Sequence, residues 1–312
     1  MNIGSRGTHS ILRGLNRLTQ INSMEFEDFA FEHVFDEMRY EIDEYNKSKT
    51  DEKWAKLLSS WRHRYEPFVY DVLKQRYGSI LDTFWKSYEP PLNSDRAFVL
   101  VERRCHPNLW FILRNIAYFG RGWSIYLFCS KQNYAYCAAI LGKNLKNVHL
   151  KIIYDGLAEP KDAIEDYNNT MKSASFWEQI GAETLCVFQM DCYLRKPIPD
   201  EILEYDYVSS PWIWNTKSPG GGGLSIRKRS VMIDICTRKD PTPIPEDGFV
   251  AQGLCELGYN FLHSSESRKY FMESCLSEDP VGIHQWWTFY YNIIYDSKDN
   301  KDTLRTLLTL NV

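Results

Sequence analysis

The chain lacks long hydrophobic runs, a surplus of basic residues and paired cysteines, and each absence excludes a class of protein. Its longest apolar runs fall far short of the roughly 20 residues that a membrane-spanning helix needs. The formal net charge over 312 residues is −4, and the largest basic cluster is Arg227-Lys228-Arg229, whereas nucleic-acid binding needs a basic face. We therefore expect neither a membrane span nor a nucleic-acid partner.

The eight cysteines are scattered without a C-x-x-C pair, so neither a zinc ribbon nor a redox motif is expected. Cys129 and Cys186 fall inside apolar, strand-like runs, which is typical of buried reduced thiols. Residues 1–15 are rich in Gly, Ser and Arg and contain no uninterrupted apolar stretch, so we expect neither a signal peptide nor a membrane anchor there. A reduced protein of the cytoplasm, in a bacterial cell or in the host cell of a virus, is the simpler interpretation.

The composition is that of a globular protein with an aromatic surplus. Hydrophobic residues make up 44% and charged residues 25% of the chain, which suits one large domain or a small helical domain followed by a larger α/β domain. Aromatic residues reach 15%, with ten Trp and twenty Tyr. Most of these suit a bulky core, and the others suit a surface that stacks against ring-shaped ligands.

The first ninety residues have the periodicity of helices. Their apolar residues recur at helical spacing in two stripes: Phe31, Val34, Phe35, Met38 and Ile42, then Trp54, Leu57, Leu58, Trp61 and Tyr65. The box Ser48-x-x-Asp51 suits the start of the second helix. A third helix is predicted from Pro67 to Gly78 and a short fourth one from Ser79. Glu89-Pro90-Pro91 breaks the pattern and separates an N-terminal helical region, 1–90, from a domain at 91–312.

Short apolar runs alternate with helical patterns over the next hundred residues. Strands are predicted at 97–101, 123–129, 148–154 and 184–190, and helices at 107–118, 133–141 and 160–179. Strands that alternate with helices form βαβ units, whose parallel sheet is covered by helices on both faces. We expect an α/β, Rossmann-like fold with a mostly parallel central sheet, whose second half, after Asp191, is irregular.

Charged residues follow three of these strands, at the edge of the sheet where ligands bind in open parallel folds. They are Glu102, Arg103 and Arg104 after the first strand, Asp155 after the third, and Asp191 after the fourth, with the neutral Gln189 two positions before Asp191. A carboxylate that leaves a rigid strand suits a divalent cation on a diphosphate. Solvated strand ends explain Glu102 and Asp155 equally well, and a turn cap is the alternative for Asp191.

Three later segments are also candidates for a binding site. Gly220-Gly221-Gly222-Gly223 leads directly into a strand-like run, where glycine lets the backbone approach a ligand closely; a flexible linker is the alternative. Glu246-Asp247 opens a predicted helix that ends near Gly258, and the helix dipole alone accounts for acidic residues there. His284 stands beside the Trp286-Trp287 pair, although a lone histidine is more often structural.

Together these segments resemble a glycosyltransferase-like domain family with the GT-A nucleotide-diphospho-sugar transferase fold, over roughly residues 96–289. The resemblance rests on the order of motifs: strand-Glu-x-Arg, Ser-x-Phe-Trp on a helix, strand-Gln-x-Asp, Tyr-Asp-Tyr-Val-x-x-Pro-Trp, Gly-Gly-Leu-Ser-x-Arg, Glu-Asp, and Gly-x-His-x-x-Trp. It does not cover the N-terminal helices. The combination is specific, although each motif is weak alone.

The resemblance implies a role for each candidate residue. Asp191 would hold a metal ion, His284 would complete the metal or phosphate site, Asp247 would be the general base, and its neighbour Glu246 would be a second catalytic residue. The remaining assignments are donor binding by Glu102, Arg103, Asp155, Lys172, Gln189, Gly222 and Gly223, and acceptor binding by Trp212, Ser225 and Trp286. One departure is that Gln189 stands where the usual Asp-x-Asp motif has its first aspartate, which makes weaker metal binding or metal independence an alternative.

The implied function is transfer of a sugar from a nucleotide-diphosphate sugar to a hydroxyl acceptor. A UDP-sugar is the favoured donor, a glycan or a protein is the acceptor, the outcome is inversion, and Mn²⁺ (or Mg²⁺) is the cofactor, since a mixed His/carboxylate site favours Mn²⁺. The alternative is a non-catalytic glycan- or nucleotide-binding module that derives from such an enzyme. A metal-dependent phosphohydrolase would need more clustered carboxylates. The oligomeric state has no signal in the sequence.

Overall fold

Two helices precede an α/β domain in the part of the chain that the computed structural model describes, residues 23–156, 160–274, 277, 279–288 and 306–312. The chain divides into two compact units, Met1–Ser60 and Trp61–Val312. Helix α1 spans Ser23–Asn46 and helix α2 spans Asp51–Ser87. The expectations for residues 1–15 lie outside the described residues. None of the described helices is long and apolar enough to cross a membrane.

Helix α2 is one continuous helix, so the predicted breaks at Pro67 and Gly78 are wrong. Proline removes only one helical hydrogen bond, and the buried face of the helix outweighs this loss. At Gly78 an added Cβ would lie 3.1 Å from the Trp110 ring, so this glycine allows close packing instead of ending the helix. The buried face consists of Trp61, Tyr65, Val69, Tyr70, Val72, Leu73, Leu81 and Trp85.

The predicted alternation of strands and helices is confirmed. In chain order the elements are β1 (Arg96–Val101), α3 (Leu109–Phe119), β2 (Ser124–Ser130), α4 (Tyr134–Leu141), β3 (His149–Tyr154), α5 (Pro160–Met171), α6 (Ala174–Trp177) and β4 (Thr184–Phe188). Gly120 and Gly142 end their helices as expected. The helix predicted at 160–179 is interrupted after Met171, because the chain turns there to bury Phe176 and Trp177.

The central sheet is mixed, with its parallel strands on one side. Its order is β3-β2-β1-β4-β7-β6, where β6 is Tyr207–Ser210 and β7 is Gly221–Lys228. Strands β1 to β4 are parallel, and β7 runs antiparallel to β4 and β6. Because of this reversal, the first residues of β7 lie at the same edge as the carboxyl ends of the parallel strands.

A second, three-stranded sheet lies in the irregular half that the sequence predicts. It has the order β5-β9-β8, with β5 at Cys192–Leu194, β8 at Phe271–Met272 and β9 at Gly282–His284. Strands β8 and β9 are parallel and β5 is antiparallel to β9. The remaining elements are helices α7 (Arg229–Arg238), α8 (Glu246–Leu257) and α9 (Ser264–Ser267), and 3-10 turns at Gly142–Asn147 and Asp200–Glu204.

One apolar core packs against helices α6, α7 and α8. It includes Trp177 of α6, Leu185 of β4, Ile235 of α7 and Phe249 of α8. Burial of such side chains contributes roughly 1.5–3 kcal/mol each. This core fixes the edge of the sheet at which β4 ends and β7 begins.

Candidate functional site

Three strand ends converge at one edge of the central sheet. The end of β4 meets the start of β7, where the Gln189 amide donates to the Gly223 carbonyl over 3.0 Å. Immediately afterwards β5 pairs with β9, so that Cys192 stands opposite His284. Two parallel strands, β8 and β9, then bring Glu273 beside His284. Residues more than ninety positions apart in the chain therefore meet in one small volume.

Asp191, His284 and Glu273 form a buried row at this edge. His284 Nε2 lies 3.3 Å from Asp191 Oδ1, and His284 Nδ1 lies 3.1 Å from Glu273 Oε2. Burial by itself disfavours a charged imidazole, but the carboxylates of Glu273 and Asp191 outweigh it and raise the pKa of His284 to about 10. Burial likewise opposes ionisation of Asp191, and His284 and Arg62 overcome it and hold its pKa below the usual range.

The atoms that face each other in this row fit a cation. Asp191 Oδ1 and His284 Nε2 are both buried, and neither has a hydrogen-bond partner among the described residues. The Cys192 thiol completes a group whose ligand atoms lie within 4.8 Å of one another. Oxygen, nitrogen and sulfur are all metal ligands in proteins. The two atoms attract each other only as an ion pair over 3.3 Å, without a hydrogen bond, and a third group could bind both, so these residues fit a divalent cation.

Arg62, on helix α2, makes an ion pair with Asp191 Oδ2. About 48% of its side chain is exposed, whereas that of Asp191 is 2% exposed. The Asp191 carboxylate therefore faces the Arg62 guanidinium on one oxygen and His284 Nε2 on the other. Gln189, at the position of the missing second aspartate, donates from Nε2 to the Tyr167 hydroxyl over 3.0 Å.

The glycine run passes directly beside the polar side chains of the site. A Cβ on Gly221 would lie 2.9 Å from Glu273 Oε2 and 3.0 Å from Trp212 Nε1. A Cβ on Gly222 would collide with the Glu246 carboxylate, and one on Gly223 with the His284 ring. Gly222 and Gly223 therefore have no room for a side chain, and at Gly221 the Glu273 side chain would have to shift, which explains in physical terms why the segment is glycine-rich.

Glu246 is bound on both oxygens by a buried arginine. Arg227 Nη1 donates to Oε2 over 3.1 Å and Nη2 donates to Oε1 over 3.2 Å. Arg227 has no exposed surface, and Glu246 is 4% exposed. A carboxylate that is held in this bidentate way has little freedom to accept a further proton. In this conformation Glu246 makes a structural contact between β7 and α8, and its expected catalytic role stays a prediction.

Asp247, the next residue, keeps a different environment. It is half-buried in the first turn of α8, and its Oδ1 accepts the Gly248 amide over 2.8 Å. Burial, followed by the neighbouring charges of Glu246 and Glu273, raises its pKa to about 6. A carboxyl group with this pKa is ionised at neutral pH and accepts a proton readily, which is what a general base requires.

Arg103 and Asp155 lie at the ends of β1 and β3. Arg103 donates to the Gly156 carbonyl over 2.8 Å and to Asp166 over 2.5 Å, and its guanidinium lies 4.1 Å from the Tyr154 ring centroid. Asp155 is an exposed residue that pairs with Lys131 at 2.5 Å. Both residues therefore lie at the predicted edge. Arg103 connects the end of β1 to the loop after β3, whereas Asp155 is exposed to solvent. Their expected contact with a donor stays a prediction.

Glu102 is buried after β1 and is held by its near neighbour. The Arg104 backbone amide and Nε donate to Glu102 Oε1 over 2.7 and 2.9 Å, and Arg104 Nη2 donates to Oε2 over 2.8 Å. The carboxylates of Glu66 and Asp191 also raise the pKa of Arg104, after the larger effect of Glu102. Glu102 therefore orients Arg104 toward the edge that carries Asp191.

Lys172 holds the loop before α8. Its buried ammonium donates to the carbonyls of Thr242 and Ile244 over 2.8 and 3.1 Å. Asn168, one turn earlier, accepts the Glu246 amide over 2.9 Å. In this conformation Lys172 positions the helix start that carries Asp247, and a direct contact with a nucleotide stays a prediction.

The three residues assigned to an acceptor lie in different surroundings. Trp212 stacks on the exposed Trp214, with ring centroids 5.7 Å apart and an interplanar angle of 24°. Ser225 has no exposed surface; its hydroxyl donates to the Gly222 carbonyl and accepts from Arg227 Nε. Trp286 is 1% exposed. Of the three, Trp212 is the one that faces solvent beside the glycine run.

Sequence reasoning missed several residues of the site because their partners are distant in the chain. Cys192 looks like an ordinary buried cysteine until its pairing with His284 is known. Glu273 follows a two-residue strand, too short to recognise. Arg62 belongs to the helical region that the resemblance leaves out. Arg227 stood in a basic cluster typical of a surface, and its total burial has no signal in the sequence.

Comparison with known proteins adds one match. A family model described as "Protein of unknown function (DUF5672)" matches residues 157–284, less than half of the chain. No curated protein matches the chain. The matched segment contains the sequence from Lys172 through Asp191, the glycine run and Asp247 to His284, and it leaves out Arg62 and the residues that follow β1.

Proposed function

We propose that this protein is a metal-dependent glycosyltransferase that moves a sugar from a nucleotide-diphosphate sugar to a hydroxyl group. The observation that carries the proposal is the geometry of the edge: the buried Asp191–His284 ion pair, which fits a cation, lies beside the glycine run. The Glu246 side chain reaches Gly222 of the same run, and the next residue is Asp247, whose pKa is about 6. A UDP-sugar is the favoured donor, and a glycan or a protein is the acceptor.

The sheet supports a GT-A-like version of the α/β fold. Asp191 lies in the link between the last parallel strand, β4, and the first strand of a small second sheet, β5. Strand β7 enters antiparallel beside β4, with its glycines at the ligand edge. This arrangement brings the Asp191 carboxylate, the His284 imidazole and the glycine run of β7 to one edge of the sheet, where one ligand could contact all three.

Asp191 and His284, with the Cys192 thiol nearby, would hold Mn²⁺ (or Mg²⁺), which when bound supplies positive charge to the departing diphosphate. His284 must be neutral to bind a cation, so binding releases the proton that Glu273 and Asp191 stabilise. The mixed ligand set favours Mn²⁺, because Mg²⁺ prefers oxygen ligands. Glu273 orients the imidazole through Nδ1.

Asp247 is proposed to accept the proton of the attacking hydroxyl. The acceptor oxygen forms a bond to the anomeric carbon, the bond from that carbon to the diphosphate oxygen breaks, and the electron pair leaves with the diphosphate. The proton passes to Asp247, and a single displacement of this kind inverts the anomeric configuration. Gly222 and Gly223 leave room for the side chains of Glu246 and His284, so the backbone of β7 runs directly beside the proposed site.

Release of nucleoside diphosphate from UDP- and GDP-sugars, with Mn²⁺ present and water or simple glycosides as acceptors, tests the proposal. We expect turnover by the wild type, a loss of about 10²–10⁴-fold in Asp247→Asn with donor binding retained, and loss of both in Asp191→Ala. Asp240→Asn, an exposed residue of the loop before α8, is the matched control. Equal turnover in Asp247→Asn and the control would remove Asp247 as the base.

A second candidate is a glycan-binding module without catalysis, which the Trp212–Trp214 stack favours. An exposed aromatic face such as that of Trp214 suits the apolar face of a sugar ring. Titration of glycans against the intrinsic tryptophan fluorescence, in the wild type and in Trp214→Ala, measures this binding. Glycan binding without turnover of any nucleotide sugar would favour the module; turnover would exclude it.

A further inference from the structure

A second cleft opens beside Asp191, between helix α2 and the loop that connects β1 to α3. Its volume is about 420 Å³. Helix α2 supplies Arg62, Glu66 and Lys74 to its wall, and the loop supplies Arg104 and Asn108. The resemblance to a glycosyltransferase-like family implies a ligand-binding role for none of these five residues. The cleft joins the candidate site because Arg62 contacts both.

The polar groups of the cleft are arranged by a fixed frame. Glu66 Oε1 accepts the Asn108 side-chain amide over 3.1 Å and lies 3.3 Å from His106 Nε2. Lys74 donates to Asn108 Oδ1 over 2.7 Å. These contacts occupy the Glu66 carboxylate and the Lys74 ammonium within the wall of the cleft. His63, His106 and the exposed Asp71 also line the cleft, and Arg62 and Arg104 are its two guanidinium groups.

Both guanidinium groups are anchored on one side and open on the other. Arg104 gives Nε and Nη2 to Glu102, and Arg62 gives Nη2 to Asp191. Within the described residues, the Nη1 nitrogen of each has no recorded partner. About 64% of the Arg104 side chain and 48% of the Arg62 side chain are exposed. Both residues line the same cleft, and Arg62 Nε also lies 3.9 Å from Glu66 Oε2.

We propose that Arg62 and Arg104 form a phosphate-binding pair at the mouth of this cleft, which binds a phosphate group without the help of a metal ion. Planar guanidinium forks match phosphate oxygens in a bidentate manner. The buried carboxylates Glu102 and Asp191 hold the forks in place, so little side-chain freedom is lost on binding. The metal ligand Asp191 and the pair would thus contact adjacent oxygens of one diphosphate.

This pair gives the N-terminal helical region a part in the site. Arg62 lies on α2, outside both the resemblance and the matched segment. The arginine pair also compensates for the absent second aspartate. A motif with two carboxylates binds the diphosphate mainly through the metal ion, whereas in this chain one metal-binding carboxylate and two arginines would share that binding. That the phosphate belongs to the donor rests on the proposed function; the binding of phosphate by Arg62 and Arg104 does not.

Calorimetric titration of the full chain with inorganic pyrophosphate, in EDTA, tests the pair. We expect measurable binding by the wild type and a loss of about ten- to a hundredfold in Arg62→Gln and in Arg104→Gln, as when a charge-assisted hydrogen bond is removed. Arg62→Lys and Arg104→Lys keep the charge without the fork and should fall between. Arg96→Ala removes an exposed arginine at the opposite end of β1 and should bind like the wild type.

Thermal melts show whether each variant folds. If a Gln variant does not fold, the corresponding Lys variant still tests the pair. Wild-type affinity in both folded Gln variants, or in the Lys variants where Gln prevents folding, would overturn the pair; so would the absence of pyrophosphate binding at millimolar concentration. Repeating the titration with saturating UDP identifies the source. Mutual exclusion assigns the phosphate to the donor, and simultaneous binding assigns it to a second, phosphorylated ligand; both support the pair.

Because the titration contains neither metal nor sugar, its result is independent of transfer. Pyrophosphate binding without any nucleotide-sugar turnover would support the arginine pair and contradict the proposed function. Turnover with unaltered pyrophosphate binding in the arginine variants would do the reverse.

Discussion

At the scale of the residue, two adjacent carboxyl groups have opposite surroundings. Glu246 is enclosed with Arg227 and has both oxygens bound. Asp247, one position later, loses water without gaining a cation of its own, and burial with two nearby carboxylates raises its pKa to about 6. A difference of one residue thus separates a structural carboxylate from one that is suited to accept a proton.

The pKa of Asp247 predicts the pH dependence of turnover. A general base acts in its ionised form, so kcat/KM for nucleotide-sugar turnover should rise with pH through about 6 and level off above it. The residual activity of Asp247→Asn should lack this rise. A pH–rate profile of both proteins measures it, and an identical rise in the variant would assign the titration to another group.

The same pKa predicts a stability difference of known sign. The ordinary pKa of the carboxyl group is 3.8, so between that pH and about 6 the folded protein binds more protons at Asp247 than the unfolded chain does. The free energy of unfolding therefore falls as pH rises through this window, and Asp247→Asn removes the fall. Melts of both proteins should diverge in favour of the variant from about pH 4 to about pH 6. A constant difference across that range would show that Asp247 does not titrate abnormally.

At the scale of the element, strand β7 is defined by what its first residues exclude. Gly222 faces the Glu246 carboxylate, which Arg227 prevents from moving. Gly222→Ala should therefore destabilise the fold by about 1–3 kcal/mol, as overpacking does. Gly248→Ala is the matched control, because a Cβ there meets only Ile244 at an ordinary 3.6 Å. Urea unfolding compares them, and equal stability of Gly222→Ala and wild type would contradict the packing at this strand.

The buried ion pair that joins β7 to α8 should be strongly non-additive. Arg227→Met leaves Glu246 charged and unpaired, which costs about 3–5 kcal/mol, whereas replacing both members by apolar residues costs much less. A double-mutant cycle with Arg227→Met and Glu246→Met, measured by urea unfolding, gives the coupling. Simple additivity of the two single changes would mean that the pair contributes no interaction.

The regular elements were predictable because each has a local cause. Apolar runs of five to seven residues predict β1 to β4, and the helical patterns between them end at glycines. Pro67 and Gly78 wrongly predict breaks in α2, because packing of its buried face, including the contact of Gly78 with Trp110, keeps this helix continuous. The row at the site depends on pairings between distant strands, such as Cys192 with His284. Short strands such as β8 carry too few residues to show a period, so Glu273 could not be foreseen.

At the scale of the whole molecule, the unit Trp61–Val312 joins two sheets at one edge. The mixed central sheet supplies Gln189 and the glycines, the small sheet supplies His284 and Glu273, and α2 supplies Arg62. The mostly parallel sheet and the N-terminal helices agree with the sequence-based fold class. Where the sheets join depends on the reversal of β7, which the sequence pattern does not reveal.

Thermal melting with nucleoside diphosphates tests the central claim, a donor site built on Asp191 and His284, most directly. The wild type and Asp191→Ala are melted with UDP, GDP or CMP, each with Mn²⁺ or with EDTA. A ligand at a hundred times its Kd adds about 2.7 kcal/mol of stability. We predict stabilisation by one nucleoside diphosphate, much larger with Mn²⁺ than with EDTA, and loss of the Mn²⁺-dependent part in Asp191→Ala. If no nucleotide stabilises the wild type, or if Mn²⁺ and the nucleotide stabilise Asp191→Ala as much as the wild type, the account is contradicted.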